Sequence, residues 1–179
     1  MNNSDKIFEP EKYTYAQYKL WEGDWELING FPHAMSPSPK REHQKFSVSF
    51  STFINILLKE KNNLCNCAVY YELDWIVSDN TVVRPDVMIV CGEFKEDFLN
   101  FPPTLVLEIT SPSTYFRDRN TKFNLYEMYG VKYYMIADPQ KRSVEVFEIV
   151  SNKYRQTTTT DFVLTPQCNI QLDVFNLWD

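Results

Sequence analysis

Hydrophobic residues recur at three- and four-residue steps in one long segment of the chain, a pattern that predicts an amphipathic helix. The residues that form this stripe are Phe46, Phe50, Phe53, Ile54, Leu57 and Leu58. Ser38 followed by Pro39 suits a helix start, and residues 59–63 bring the charges and turn formers of a helix end. We therefore predict a helix that begins near Ser38 and ends at 59–63.

Alternating or short apolar runs predict strands on both sides of this helix. Asn29-Gly30 is the strongest two-residue signal for a hairpin turn, so residues 25–28 and 31–35 are predicted to pair. Further strands are predicted at 69–77, 82–91, 105–110, 133–137 and 144–149, with one more around 162–164. Thr14 and Gln17 fit the capping box of a short helix, and residues 115–129 read as a helix that Gly130 ends.

The order of these elements indicates an α/β fold, with a central mixed β-sheet flanked by helices and an N-terminal helix and β-hairpin. A chain of 179 residues, 44% of them hydrophobic, suits a single domain over 1–179. We expect residues 1–10 to be flexible.

The charge of the chain limits the choice of partners. A net charge of −6 and a pI near 5.0 argue against a broad basic surface for DNA, although a local basic patch is compatible with them.

The sequence has no apolar run of membrane-spanning length and no signal core, so we expect a cytoplasmic protein without membrane contact. The four cysteines, at 65, 67, 91 and 168, are expected to be reduced structural thiols, because no Cys/His pair completes a zinc site.

Two carboxylates lie within otherwise apolar predicted strands. Asp86 follows Arg84-Pro85, and Glu108 stands inside the run 105–110. A charge at such a position is costly unless it is paired or binds metal. Two carboxylates on neighbouring strands can converge on one hard cation, which would polarise a phosphodiester and activate water. The alternative is that Asp86 caps a turn and Glu108 pairs with a Lys or Arg.

An ordered set of short motifs runs from about Thr14 to Ile149. It comprises Trp25-Glu26-Leu27-Ile28-Asn29-Gly30, Met35-Ser36-Pro37, His43, Arg84-Pro85-Asp86-Val87, Glu108-Ile109-Thr110-Ser111-Pro112-Ser113-Thr114, Asp118, Lys122, Tyr126, Gly130-Val131 and Asp138-Pro139. In this order the motifs resemble the Uma-two family of restriction-endonuclease-like proteins, a branch of the PD-(D/E)XK nuclease superfamily. The resemblance implies a restriction-endonuclease-like fold.

The resemblance also implies which residues form the site. Asp86 and Glu108 would bind a divalent metal, Mg2+ or Mn2+, and the backbone carbonyl of Ile109 would add a ligand. The superfamily lysine normally follows the Glu by two residues, where this chain has Thr110. Related families carry that lysine on the next helix, at the position of Lys122.

Four further residues could belong to the site, and each could instead have a purely structural role. Arg119, Lys122 and Tyr126 lie at steps of three and four and could share one helix face towards the site; the alternative is a solvated face with Tyr126 in the core. Glu26 would add an acidic residue near the metal, or it is an exposed strand carboxylate. His43 would contact phosphate or brace a carboxylate, or it only caps a helix.

The function predicted first is a metal-dependent DNA endonuclease that hydrolyses phosphodiester bonds through metal-activated water. A homodimer is expected, because cutting both strands of a duplex commonly uses two symmetry-related sites. The alternative is a catalytically weak or inactive nuclease-fold module for nucleic-acid binding or protein assembly, which the acidic pI and Thr110 favour. Hydrolysis of another substrate at the same metal site is the third hypothesis.

Overall fold

The computed structural model describes residues 10–35, 38–61 and 65–178. Three predictions fall on other residues. The flexibility predicted for residues 1–10 lies outside the described residues except at Pro10, and so do Ser36 and Pro37 of the motif Met35-Ser36-Pro37. Residues 62 and 63 of the predicted helix end also lie outside them.

The N-terminal helix and hairpin form as predicted. The helix α1 covers Tyr15–Tyr18, and the backbone N–H of Thr14 donates to Oε1 of Gln17 at 2.8 Å. The strands β1 (Trp25–Ile28) and β2 (Phe31–Ala34) pair antiparallel, with Ile28 opposite Phe31. Asn29 and Gly30 turn between them with φ of 54° and 84°, the positive values that such a turn requires.

The long helix α2 covers Arg41–Glu60, so it begins three residues after the predicted cap. Its apolar face is buried against the sheet at Phe46, Phe50, Ile54 and Leu58. Phe53 was placed on this stripe by its spacing, but 40% of its surface is exposed.

The strand predicted over 69–77 is two strands in different sheets. β3 covers Cys67–Tyr71 and β4 covers Trp75–Ser78. Glu72 has a φ of 46°, which interrupts extended backbone between them. The prediction of one continuous strand over 69–77 is therefore wrong.

The strand predicted over 82–91 divides in the same way. β5 covers Thr81–Val83 and β6 covers Val87–Cys91, and the chain passes from one sheet to the other at 84–86. Pro85 lies in this break and has no N–H for a strand ladder. The break places Asp86 at the first end of β6 rather than inside a strand.

Six further strands follow in the second half of the chain. They are β7 (Leu105–Ile109), β8 (Tyr133–Asp138), β9 (Ser143–Val150), β10 (Lys153–Thr157), β11 (Asp161–Thr165) and β12 (Cys168–Gln171). The sequence did not predict β10 or β12. β10 is mostly polar and β12 has only four residues, and each completes an antiparallel pair with the strand before it.

The strands form a mixed central sheet with two smaller sheets beside it. The six-stranded sheet has the order β10-β9-β8-β7-β6-β3, and only β7 and β8 in it run parallel. A helical crossover joins these two, made of a π-helix (Arg117–Lys122) and α3 (Phe123–Met128). The four-stranded sheet has the order β2-β1-β5-β4. The α/β fold predicted for the chain is confirmed.

The central sheet is buried on both faces. One face packs against α2 and the β11–β12 hairpin, and the other face packs against α3. In the described part of the chain, no helix has the length and apolarity needed to cross a membrane.

The four cysteines are paired rather than free. Cys65 is bonded to Cys168, and Cys67 is bonded to Cys91 across the β3–β6 pair. The prediction of reduced thiols is therefore wrong, because strand pairing and the docking of β12 bring the sulfurs together. The cytoplasmic location remains a prediction, and the disulfides do not favour it, since such bonds persist mainly in oxidising compartments.

Replacing Cys67 and Cys91 by serine is expected to lower the free energy of unfolding by about 3 kcal/mol. The bond closes a loop across a sequence separation of 24 and so restricts the unfolded chain. Urea denaturation without reductant measures the difference. If wild-type protein treated with dithiothreitol unfolds at the same urea concentration as untreated protein, the disulfides contribute no stability.

Candidate active site

The candidate site lies at one end of the six-stranded sheet, where β7 ends. Side chains of β7 alternate between the two faces, so Leu107 and Ile109 pack on the α2 side and Glu108 points towards the helical crossover. Only 3% of the surface of Glu108 is exposed. A carboxylate at this depth needs charged or hydrogen-bonding partners.

Two side chains of the crossover are those partners. Nζ of Lys122 lies 2.9 Å from Oε1 of Glu108, and the hydroxyl of Tyr126 donates to the same oxygen at 2.6 Å. Lys122 and Tyr126 are four residues apart, so both can face the sheet. The structure therefore brings the predicted lysine and tyrosine into contact with the predicted glutamate.

Glu26 reaches the same ammonium group from the neighbouring sheet. Its Oε1 lies 2.7 Å from Nζ of Lys122 and accepts a hydrogen bond from the backbone N–H of Arg84 at 3.0 Å. Its Oε2 accepts from Nη1 of Arg117 at 3.2 Å. Because Glu26 is 1% exposed, the alternative of an exposed strand carboxylate is wrong.

Asp86 lies beside the end of β7. Its Oδ2 accepts a hydrogen bond from the backbone N–H of Ile109 at 2.6 Å, and its Oδ1 lies 3.1 Å from Nε2 of His43 on α2. Ile109 follows Glu108 directly, so the two predicted carboxylates are neighbours in the site. His43 braces a carboxylate, which is one of the roles considered for it from the sequence.

The π-helix places two buried charged residues in this site. Asp118 and Lys122 are 2% and 4% exposed, respectively, although a surface helix normally keeps such residues in water. The wider turn of a π-helix changes which side chains share a face, and π segments frequently occur at functional sites. The sequence predicted an ordinary helix here and did not place Asp118 or Arg117 in the site.

Arg119 does not join this group. Its guanidinium pairs with Glu145 of β9, and its Cζ lies 4.8 Å from the centroid of the Tyr115 ring. The prediction that Arg119 shares the face of Lys122 and Tyr126 is wrong, since the regular helical spacing it assumed is interrupted by the π turn.

Thr110 occupies the position at which the superfamily lysine would stand. It is 7% exposed, and among the described residues its Oγ1 has no hydrogen-bond partner. The backbone N–H of Thr110 donates to the carbonyl of Ala137 on β8, so the chain here continues the strand ladder. The positive charge beside Glu108 comes from Lys122 instead.

A second ion pair, between Arg84 and Asp74, holds the backbone next to Asp86 in place. Nε of Arg84 lies 2.6 Å from Oδ1 of Asp74, and the Tyr18 hydroxyl donates to Oδ2 of Asp74 at 3.0 Å. Asp74 is 6% exposed, so this ion pair is shielded from water. These contacts anchor Arg84, two residues before Asp86, to α1 and β4.

The buried carboxylates differ in how readily they ionise. Burial alone would raise the pKa of Glu26, but Lys122, the Arg84 N–H and Arg117 hold that pKa below its ordinary range. For Glu108, burial is the largest influence and raises the pKa well above its ordinary value. Lys122 opposes this rise in the pKa of Glu108, whereas Asp86 adds to it.

The lysine remains charged in these surroundings. Burial alone would lower the pKa of Lys122, but the carboxylates of Glu108 and Glu26 reverse the effect and raise it. Burial also raises the pKa of Asp118, against the opposing effect of Lys122. Carboxylates thus outnumber the cations near them, and the site has a shortage of positive charge.

The donor set of the site fits a hard divalent cation that keeps several water ligands. Asp86 accepts a hydrogen bond from the N–H of Ile109, the residue after Glu108, so both carboxylates lie at this end of the sheet, and Mg2+ is commonly bound through one or two carboxylates plus water and substrate phosphate. Within residues 10–35, 38–61 and 65–178, no group of three or more His, Cys, Asp or Glu side chains is arranged to hold a metal ion. A closed site of the zinc type is therefore not formed by these residues.

The chain matches a known protein family, and its fold matches a solved structure. A model of the Uma2 family, described as "Putative restriction endonuclease", matches residues 14–177. A solved structure, a "putative nuclease belonging to DUF820" from Anabaena variabilis ATCC 29413, is similar with a TM-score of 0.72 and 16% sequence identity. The match covers 92% of this chain and 97% of that one, and it concerns the fold. No curated protein matches the chain significantly.

Proposed function

Because the chain belongs to the Uma2 family of restriction-endonuclease-like proteins, we propose that it is a DNA endonuclease that depends on Mg2+ or Mn2+. One observation carries the metal dependence: Asp86, directly before β6, and Glu108, on β7, lie close enough that Asp86 raises the pKa of Glu108, and the buried site has too little positive charge to balance them. A divalent cation would supply that charge.

Asp86 and Glu108 would hold the metal, together with the backbone carbonyl of Ile109. The bound cation would polarise the phosphodiester and lower the pKa of the attacking water. His43 and the Ile109 N–H fix the orientation of the Asp86 carboxylate, and Tyr126 fixes that of Glu108. These contacts keep the two carboxylates in place before any ligand arrives.

Lys122 would act as an electrostatic group rather than as a base. Its raised pKa keeps the ammonium protonated, so it can donate to a phosphate oxygen as negative charge develops there. Glu26 holds the ammonium from its other side at 2.7 Å and thereby positions it. The attacking water would lose its proton to solvent or to a phosphate oxygen, while the P–O bond to the leaving oxygen breaks.

Cleavage of DNA in the presence of Mg2+ or Mn2+ tests this function. Wild-type protein is expected to cut oligonucleotides and plasmid, with loss of cutting in EDTA and in the Asp86→Ala/Glu108→Ala variant. The control is Glu93→Ala/Asp97→Ala, which removes two exposed carboxylates outside the site and should leave cutting unchanged. If wild type cuts no faster than the Asp86→Ala/Glu108→Ala variant, the endonuclease function is refuted.

A second candidate is a nuclease-fold module without catalysis, for nucleic-acid binding or protein assembly. Thr110 favours it, because the usual lysine position carries no charge. Calorimetric titration with Mg2+ or Mn2+ separates the two candidates. Binding that disappears in Glu108→Ala favours the enzyme, and absence of binding favours the module.

A homodimer is part of the first proposal, since two sites related by a two-fold axis would cut both strands of a duplex. Sedimentation of the purified chain measures the oligomeric state directly. If the chain is a monomer at the concentrations used for cutting, it would cut only one strand each time it binds a duplex.

A further inference from the structure

A groove runs along the outer side of α2, next to β3 at the edge of the central sheet. Its volume is ≈ 360 Å³, and its lining residues are Gln44, Val48, Ser51, Thr52, Asn55 and Tyr71. The five residues on α2 are spaced so that they form one stripe along the helix. The volume lies within the range of sites that bind small molecules or parts of larger ligands.

The groove begins at the candidate site. Gln44 follows His43, whose Nε2 lies 3.1 Å from Oδ1 of Asp86. At the other wall, Tyr71 precedes Glu72, whose backbone N–H donates to the carbonyl of Asp86 at 3.2 Å. A nucleic-acid strand whose phosphate reaches Asp86 would therefore have a neighbouring nucleotide at the mouth of the groove.

The lining of the groove suits a nucleobase rather than a phosphate. None of the six lining side chains carries a formal charge, so the groove offers no cation for a phosphate group, and Glu72 beside Tyr71 would repel one. The amides of Gln44 and Asn55 can each donate and accept hydrogen bonds, as base edges require.

Tyr71 supplies an aromatic surface at the groove wall. Its side chain is 43% exposed at the end of β3. Bases that are not stacked in a duplex bind well on such rings, and stacking tolerates different base identities. The faces of bases inside a duplex are covered by their neighbours, so this contact needs an unpaired or splayed nucleotide.

We propose that the α2–β3 groove binds an unpaired nucleobase of the substrate strand next to the cleaved phosphate. The chain would then act on single-stranded or locally unpaired DNA in preference to a continuous duplex. This inference rests on the proposed endonuclease function. A net charge of −6 leaves little general attraction for the phosphates of either form of DNA, so stacking of an unpaired base would have to contribute much of the affinity.

Fluorescence anisotropy with a labelled single-stranded oligonucleotide, and with the duplex of the same sequence, tests the inference in Ca2+ buffer. Wild type is expected to bind the single strand more tightly. Tyr71→Ala is expected to weaken single-strand binding about tenfold or more, while Tyr71→Phe keeps the ring and stays close to wild type. Gln44→Ala is expected to weaken binding, and Gln156→Ala on the opposite edge strand β10 is the matched control.

A second measurement identifies the contact itself. An oligonucleotide carrying 5-iodouracil is expected to cross-link on irradiation to the peptide that contains Tyr71. Equal binding of single strand and duplex, together with wild-type binding by Tyr71→Ala, would overturn the inference. Conversion of a dimer to a monomer by Tyr71→Ala would also overturn it, since the groove would then be a subunit interface.

The test separates this inference from the proposed function. Metal-dependent cutting that Tyr71→Ala leaves unchanged on both substrates refutes the groove alone. Tyr71-dependent binding and cross-linking without any cutting support the groove and refute the endonuclease activity.

Discussion

Lys122→Met is expected to lower the free energy of unfolding by about 3–5 kcal/mol, because it leaves buried carboxylates without their cation. The ammonium lies 2.7 Å from Glu26 and 2.9 Å from Glu108, and both carboxylates are almost fully buried. Methionine fills a similar volume but cannot compensate either charge. Urea denaturation of the metal-free protein measures the change.

Lys153→Met is a matched control for this variant. Lys153 lies 2.6 Å from Glu127, as close as the pair in the site, but 74% of its side chain is exposed. Exposed pairs contribute about 0–1 kcal/mol, so the control should unfold close to wild type.

A second substitution tests whether uncompensated charge causes the loss of stability in Lys122→Met. Adding Glu26→Gln to it removes one uncompensated charge, so the double variant is expected to recover part of the lost stability. If Lys122→Met costs no more than Lys153→Met, or if Glu26→Gln makes the double variant less stable still, the buried ion-pair account is wrong.

Glu108 could be predicted because a charge in an apolar strand is visible in the sequence, whereas for Asp86 the same reasoning assumed a strand that breaks at 84–86. Glu108 stands between Leu107 and Ile109, and such a residue must find partners. The motif resemblance then pointed to Lys122, which the structure places 2.9 Å from Glu108. The inference about Glu108 needed only local sequence and general energetics, whereas the inference about Lys122 needed the resemblance.

The strand breaks could not be predicted in the same way. Residues 69–77 alternate as one strand would, yet the positive φ of Glu72 sends the chain from the edge of one sheet to another. A period of two describes each half equally well and contains no information about the bend. The same limit applies at 84–86, where the break is what positions Asp86.

Contacts between residues far apart in the chain also could not be predicted from the sequence. The contact of Glu26 with Arg117 joins residues 91 positions apart, and the disulfide of Cys65 with Cys168 joins residues 103 apart. Nothing in the local pattern specifies either pair. The π turn over Arg117–Lys122 is likewise not specified by the local pattern, since its residue types mark neither a π turn nor a break in the helix.

The π turn and the Asp74–Arg84 ion pair both serve a site in which carboxylates outnumber cations. The π turn buries Asp118 and Lys122 in one place, and the Asp74–Arg84 pair fixes the chain next to Asp86. A site designed only for stability would not hold more carboxylates than cations away from water. Stability is lower here than it could be, as is common where a site must bind a charged ligand.

Glu108→Gln is expected to reduce metal-dependent cutting on the order of a thousandfold. The metal is expected to supply several kcal/mol of transition-state stabilisation, and each 1.4 kcal/mol corresponds to tenfold in rate. Loss of one of two carboxylate ligands removes most of that effect. Rates of oligonucleotide cutting at fixed Mg2+ measure it, with Glu145→Gln, a carboxylate paired with Arg119, as the control.

The same Glu108→Gln variant is expected to be more stable than wild type in EDTA at pH 8. The pKa of Glu108 is raised above 4.5 in the folded protein, so folding favours its protonated form. The stability that this carboxyl contributes is fully present below its unfolded-state pKa and is lost as pH rises towards the folded-state value. The amide has no such loss, so its advantage should grow between pH 5 and pH 8.

Added Mg2+ should reverse the order of stability of the two proteins. Metal at a hundred times its dissociation constant stabilises a protein by about 2.7 kcal/mol, and wild type should gain this while Glu108→Gln does not. Thermal unfolding at several Mg2+ concentrations records both effects in one experiment. An equal gain in both proteins would mean that Glu108 does not bind the metal, whatever the result of the cutting assay, because this measurement requires no substrate.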